Sequence, residues 1–218
     1  MLENTRKLKE WLAEQKCRTL TAALNRRNFK AAFCADGDAA ASYILKEAEN
    51  ANSIGFGGSL SVADLMLTDR LSALGKELLN HGLPDLTAEQ KRTILQRQQS
   101  CDLFLSGVNA ATIDGCLVNI DGLGNRVSAM IYGPGKVILV VGRNKIVEGD
   151  IADAIERIKN DSAPANTRRL NKKTPCAQTG ICCDCDSPER ICRVTTILEY
   201  KPSATDIHVL VVNQDMGL

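Results

Sequence analysis

Residues 101–147, CDLFLSGVNAATIDGCLVNIDGLGNRVSAMIYGPGKVILVVGRNKIV, decide how this chain is read. They hold three or four apolar, strand-like runs separated by polar and glycine-rich corners, the pattern of a sheet whose loops present side chains to a ligand. The run at 136–142, KVILVVG, is continuously apolar, as suits a central strand buried on both faces. Residues 102–106 read as another buried strand and 107–114 as a polar crossover or short helix. Residues 115–120 and 126–132 alternate like the arms of a β-hairpin closed by Asp-Gly-Leu-Gly-Asn. Asn109, Thr112, Asp114, Asn119, Asp121, Asn125 and Arg126 stand at or beside the corners.

Outward from this block, strands and helices alternate. Toward the N-terminus, residues 3–26 lack Gly and Pro and carry Leu8, Trp11, Leu12, Leu20, Ala23 and Leu24 at helical spacing. A strand is expected at 29–35, then an alanine-rich helix that Asp36 or Asp38 could cap. The stretch SIGFGGSLSVADL gives a strand at 53–56, a glycine corner, and a helix from Ser61 with Asp64 at capping-box spacing. Gly57, Gly58, Ser59 and Ser61 thus form a candidate anion cradle, since unpaired N–H groups at a helix start favour negative charge. A plain tight turn is the alternative, because the stretch has neither the P-loop lysine nor dinucleotide-fingerprint spacing. Thr87 and Gln90 open a further helix, and His81 reads as a loop or surface residue.

Toward the C-terminus, a helix starts at Asp150, and the cation-rich stretch after Asp161 reads as an extended segment. Residues 194–201 and 206–213 are β-rich and suggest a terminal hairpin, with His208 a structural strand residue. The expected organisation is an N-terminal helix over 1–28, an α/β core over 29–162, and residues 163–218 completing the same domain.

Composition narrows the function classes. The 218 residues carry 27 basic and 26 acidic side chains, so no charge imbalance points to nucleic acid. Aromatics make up 4%, too few for a base-stacking platform. The charged N-terminal stretch is unlike a secretory signal and no apolar run approaches a membrane span, so a cytoplasmic protein with no membrane partner is expected.

In that setting, nine cysteines suggest core thiols, metal ligands or redox groups rather than structural disulfides. Five lie together in CAQTGICCDCDSPERIC. Cys182 and Cys185 have the C-x2-C spacing that lets two thiolates hold one ion, and Cys176 and Cys192 bracket them. Four thiolates suit zinc or an iron–sulfur cluster; a reduced loop or a redox pair is the metal-free alternative. Cys183 is the spare thiol. Arg168, Arg169, Lys172 and Lys173, just before the cysteines, read equally as an anion contact or a solvated basic linker. Asp114 and Asp121 form either a carboxylate pair or, since each precedes Gly, turn-forming residues.

GFGGSLSVADL, the central block, APANTRRL and the cysteine run together resemble the lactate-utilisation (LUD) domain family, in its short single-domain branch, from about residue 50 onward. The resemblance implies an α/β fold with a mixed, mainly parallel sheet and helices on both faces, like coenzyme A transferases and ribose-5-phosphate isomerase. It also implies association with bacterial lactate oxidation, where relatives accompany iron–sulfur subunits. The glutamate nucleophile of coenzyme A transferases has no counterpart here, so their activity is not implied.

The leading expectation is a protein binding a small anionic metabolite between the Gly57, Gly58, Ser59 and Ser61 corner and the block of Asn109, Thr112, Asp114, Asp121, Asn125 and Arg126, in the crevice beyond the strands' carboxyl ends. One alternative is a non-enzymatic accessory subunit docking on an iron–sulfur oxidoreductase through the cysteine loop. Another is a hydrolase or isomerase using Asp114 or Asp121. A homodimer is one assembly left open.

Overall fold

A computed structural model describes residues 2–218. The first half of the chain runs α1 (Leu2–Arg26), β1 (Lys30–Cys34), α2 (Gly37–Ala48), β2 (Ser53–Phe56), α3 (Leu60–Ala63), α4 (Thr68–Ala73), β3 (Glu77–Leu79), α5 (Ala88–Arg97) and β4 (Leu103–Gly107). The second half runs β5 (Ala110–Thr112), β6 (Leu117–Asp121), α6 (Asn125–Ile131), β7 (Lys136–Gly142), β8 (Ile146–Val147), α7 (Ile151–Arg157), α8 (Ala163–Arg169), α9 (Pro175–Thr179), β9 (Val194–Leu198) and β10 (Ile207–Val212).

Six strands form a parallel sheet in the order β1-β10-β7-β4-β2-β3. Its centre is the KVILVVG strand. Val137, Leu139 and Val141 enter one core and Ile138 and Val140 the other, following the two-residue period of a strand. On the first face the core is completed by Leu20 and Leu24 of α1 and Val127, Ala129 and Met130 of α6. On the second it is completed by Ala40, Ala41 and Ile44 of α2 and Leu71 of α4. The chain is therefore an α/β protein with helices on both faces of a parallel sheet. A smaller sheet, β8-β5-β6-β9, packs through Ala110 and Val118 against Ala154 and Ile158.

Helix starts follow local chemistry. The Asp36 side chain accepts the Ala39 N–H at 2.8 Å to open α2, and Thr87 and Gln90 close a reciprocal capping box on α5. Ser59, not Ser61, caps α3, accepting the Val62 N–H.

Three expectations are corrected. Residues 126–132 are not a hairpin arm but α6, because Val127, Ala129 and Met130 bury one helical side and Gly124, at φ 85°, turns the chain into it. The partners of β6 are instead β5 and β9, both antiparallel. Residues 194–213 are not a terminal hairpin: β9 lies in the small sheet, while β10 inserts between β1 and β7 in the large one. The uninterrupted IHVLVV run, buried at every position, demands a two-sided apolar setting that an edge hairpin lacks. Lastly, residues from 163 are not extended at first: a π-helical turn over Ile158–Ser162 carries the chain from α7 directly into α8, with Pro164 at its second residue. Among the described residues, no helix is long and apolar enough to cross a membrane.

Candidate functional site

The carboxyl ends of β2, β3, β4 and β7 deliver four loops to one rim of the large sheet, the position where open α/β sheets gather ligand contacts. After β2 come Gly57 and Gly58. A Cβ on Gly57 would stand 2.7 Å from Ser106 Oγ and 3.1 Å from Arg126 Cγ, so glycine is what lets the corner close on those side chains. Gly58 turns the chain at φ 71°, in the left-handed region. Since α3 has four residues, its dipole is negligible and this corner forms a wall rather than the source of positive charge.

That charge comes from the turn after β7. Lys145 is 4% exposed, the one buried lysine among the described residues, and its Nζ donates to Ser61 Oγ at 2.6 Å. Ser61 in turn donates to the Met216 carbonyl at 3.2 Å. Burial, followed by the charges of Arg157 and Arg126, pushes the Lys145 amine down to about 7, with Asp64 acting weakly the other way. Arg157, half-buried on α7, donates from Nε to the Asn144 carbonyl (3.1 Å) and from Nη1 to the Asn109 carbonyl and Ser162 Oγ (2.9 Å each). The hydrogen bonds of these two cations thus go to neutral oxygens, and neither forms an ion pair among the described residues. Among the described residues, Arg157 Nη2 has no acceptor.

Arg126 is different. Its Nε meets Asp121 at 3.1 Å, Nη1 donates to the Gly107 carbonyl and Asn119 Oδ1, and Nη2 to Asn109 Oδ1 and the Ile120 carbonyl. All five N–H donors are consumed, so Arg126 clamps the loops and has nothing left for a ligand. Asp121 is equally occupied, accepting from Leu123 N, Gly124 N and Arg126, which makes it a turn former and counter-ion. Beside them, Asn119 leaves its buried Nδ2 without an acceptor. His81, read as a loop or surface residue, lies in the turn after β3, half-buried behind Gly58, its Nδ1 3.0 Å from Gln98 Nε2.

Of the residues proposed from sequence, Gly57, Gly58, Ser59, Ser61, Asn109, Asp121 and Arg126 meet at this rim. Thr112 and Asp114 do not: the Thr112 hydroxyl donates to Asp114, which Arg27 of α1 holds at 2.6 Å at the far end of the β5–β6 hairpin. Asn125 is also elsewhere, on a shallow outer groove with Gln99 and Ser128. Sequence reasoning missed Lys145 and Arg157. For Lys145 a signal existed, because a polar residue in the first turn after a doubly buried parallel strand belongs at this rim. Arg157 carries no comparable signal, being one of several charges on an amphipathic helix.

The cysteine loop is a separate feature. No residue of 175–193 is fully buried, and all five of its thiols are free. Arg190 ties the loop together by donating to the carbonyls of Cys185 (2.5 Å) and Cys192 (2.7 Å). Thr167 and Thr174 each place a hydroxyl 3.4 Å from Cys176 Sγ. Burial raises the Cys192 pKa, Arg190 opposes this, and Cys182, Cys176 and Cys185 add to it, so these three thiols lie within electrostatic reach of Cys192. The donor types fit zinc or an iron–sulfur cluster, but among the described residues no three His, Cys, Asp or Glu side chains already stand in a ligating arrangement.

Compared with known proteins, residues 17–212 match a family model described as the LUD domain. The chain is similar to the crystal structure of a DUF162 family protein from Deinococcus radiodurans, 17% identical with a TM-score of 0.54, covering 92% of this chain and 98% of that one. At that identity the likeness speaks to the fold alone. It also aligns with eIF2B beta from Chaetomium thermophilum at 17% identity and a TM-score of 0.35, over 69% of this chain and 50% of that one. No curated protein matches.

Proposed function

The chain belongs to the LUD domain family, and from that premise we propose that it is a lactate-utilisation-type protein that binds a small carboxylate or phosphate anion in the crevice beside Lys145, Arg157 and Ser61. One observation carries this: a buried lysine and a half-buried arginine converge there without a counter-ion. Removing charge from water without pairing it costs several kcal/mol, by rough reckoning, and such a cost is tolerated where a bound anion offsets it. Lys145 and Arg157 Nη2 keep N–H donors that an anion can take.

A thermal-shift screen of organic acids, coenzyme A esters and sugar phosphates tests the reading, with at least one anion expected to raise the melting temperature. The shift has a definite pH sign. Lys145 is charged below about 7 and neutral above it, so stabilisation by the anion weakens as pH rises through that value. A panel in which no anion stabilises the protein at any pH contradicts the reading.

The three thiols of Cys176, Cys182 and Cys185 near that of Cys192 favour a second, independent role for the loop, as a zinc or iron–sulfur clip or as a docking surface for an iron–sulfur oxidoreductase. Anaerobically purified protein is expected to carry close to one equivalent of zinc or one cluster, lost in Cys182→Ser and Cys185→Ser. Metal-free protein with an unchanged melting temperature after chelation removes the clip.

A further inference from the structure

Lys145 has properties that a purely electrostatic anion contact does not need. Its amine is buried, fixed at 2.6 Å from a serine oxygen, and paired with no carboxylate that would hold it protonated. Desolvation and neighbouring cations are the two devices by which a lysine becomes a nucleophile, and both are present: the amine is buried, and the charges of Arg157 on α7 and Arg126 on α6 act on it. Of the acidic groups, Asp64 alone bears on it, and the Asp64 carboxylate is already accepting the Gly217 N–H at 2.7 Å. Arg157 is anchored through Nε to the carbonyl of Asn144, the residue preceding Lys145, with Nη2 left over. Arg157 is thus tied to the turn that carries Lys145, and a carboxylate taken by Nη2 is held on that turn.

Resting on the anion-site reading above, we infer that Lys145 condenses with small 2-oxo acids, Arg157 holding the carboxylate while the amine attacks the adjacent carbonyl carbon. The neutral Nζ forms the C–N bond as the carbonyl π pair moves to oxygen. That oxygen takes up protons and leaves as water when the nitrogen lone pair closes the C=N bond. In balance, one lysine ammonium and one 2-oxo acid give one protonated imine and one water, with no change of oxidation state. Ser61 accepts a lysine N–H throughout and orients the amine.

Incubation of the full chain with pyruvate and cyanoborohydride, followed by intact-mass measurement and peptide mapping, tests this. One reduced adduct per chain is expected, mapped to Lys145 and increasing as pH rises through about 7, the reverse of the trend expected for simple anion binding. The adduct is lost in Lys145→Arg and reduced in Arg157→Gln, which keeps the amine but not the carboxylate grip. Mapping on the unaltered protein decides the matter even if a variant fails to fold. Adducts spread over surface lysines, or none, in a protein that still binds pyruvate in the thermal-shift screen overturn the imine and leave the anion site standing. Neither adduct nor stabilisation by any anion overturns both.

Discussion

Replacing Arg126 with methionine is expected to cost about 3–5 kcal/mol of folding stability, the range for breaking a buried ion pair by removing one partner. The side chains of Arg126 and Asp121 are 13% and 8% exposed, so solvent cannot take over the lost pairing. Methionine would leave the Asp121 carboxylate without its counter-ion, held only by the Leu123 and Gly124 N–H groups, and would take one donor from each of four further acceptors, the carbonyls of Gly107 and Ile120 and the side-chain oxygens of Asn109 and Asn119. Those groups sit on β4, β6 and the loops beside them, so the loss loosens the join between the two sheets. Arg126→Lys keeps the charge but has three donors for five acceptors, and an intermediate loss of about 1–2 kcal/mol is expected. Urea unfolding at neutral pH reads both. An Arg126→Met variant within about 1 kcal/mol of the parent would show that this network is not the clamp described here.

Lys145→Met is expected to behave in the opposite way. Removing a buried amine that lacks a counter-ion relieves a desolvation cost, so the variant keeps or gains stability, by about 1–3 kcal/mol in the range seen when buried charges give way to apolar side chains. Ser61 retains an acceptor for its hydroxyl proton in the Met216 carbonyl, so little is left unsatisfied. Anion affinity, in contrast, falls roughly ten- to hundredfold, the equivalent of one hydrogen bond to a charged group. More stable and less able to bind is the signature of a residue kept for function at the expense of stability. The parent also becomes more stable as pH rises from about 7, where the folded protein sheds the Lys145 proton and the unfolded chain still holds it. Lys145→Met flattens that rise.

The contrast between these two cations explains how far the sequence could be read. Arg126 stands in the glycine- and asparagine-rich corner of residues 101–147, yet the corner's own oxygens use up its donors. Lys145 lies at the tail of the same stretch, among ordinary charged residues, and becomes distinctive only because β10 fills the neighbouring slot and the segment after it brings the Met216 carbonyl over Ser61. The placement of β10 was itself illegible locally: IHVLVV reads as a strand, but whether it extends an edge or enters the centre depends on β1 and β7, far away in sequence. Strand runs with strict burial demands, KVILVVG and LFLSG, were read correctly because two-sided burial leaves no alternative to an apolar run. The α6 segment is ambiguous in sequence, because Arg-Val-Ser-Ala alternates over a span too short to separate a strand from one turn of helix.

Isothermal titration of the parent protein and Lys145→Met, with whichever anion most raises the melting temperature, puts the central claim to the most direct test. Saturable one-to-one binding to the parent, stronger below about pH 7 than above it and weakened at least roughly tenfold in a variant of equal or greater stability, is the predicted result. Equal affinity in the two proteins would place the anion somewhere other than beside Lys145.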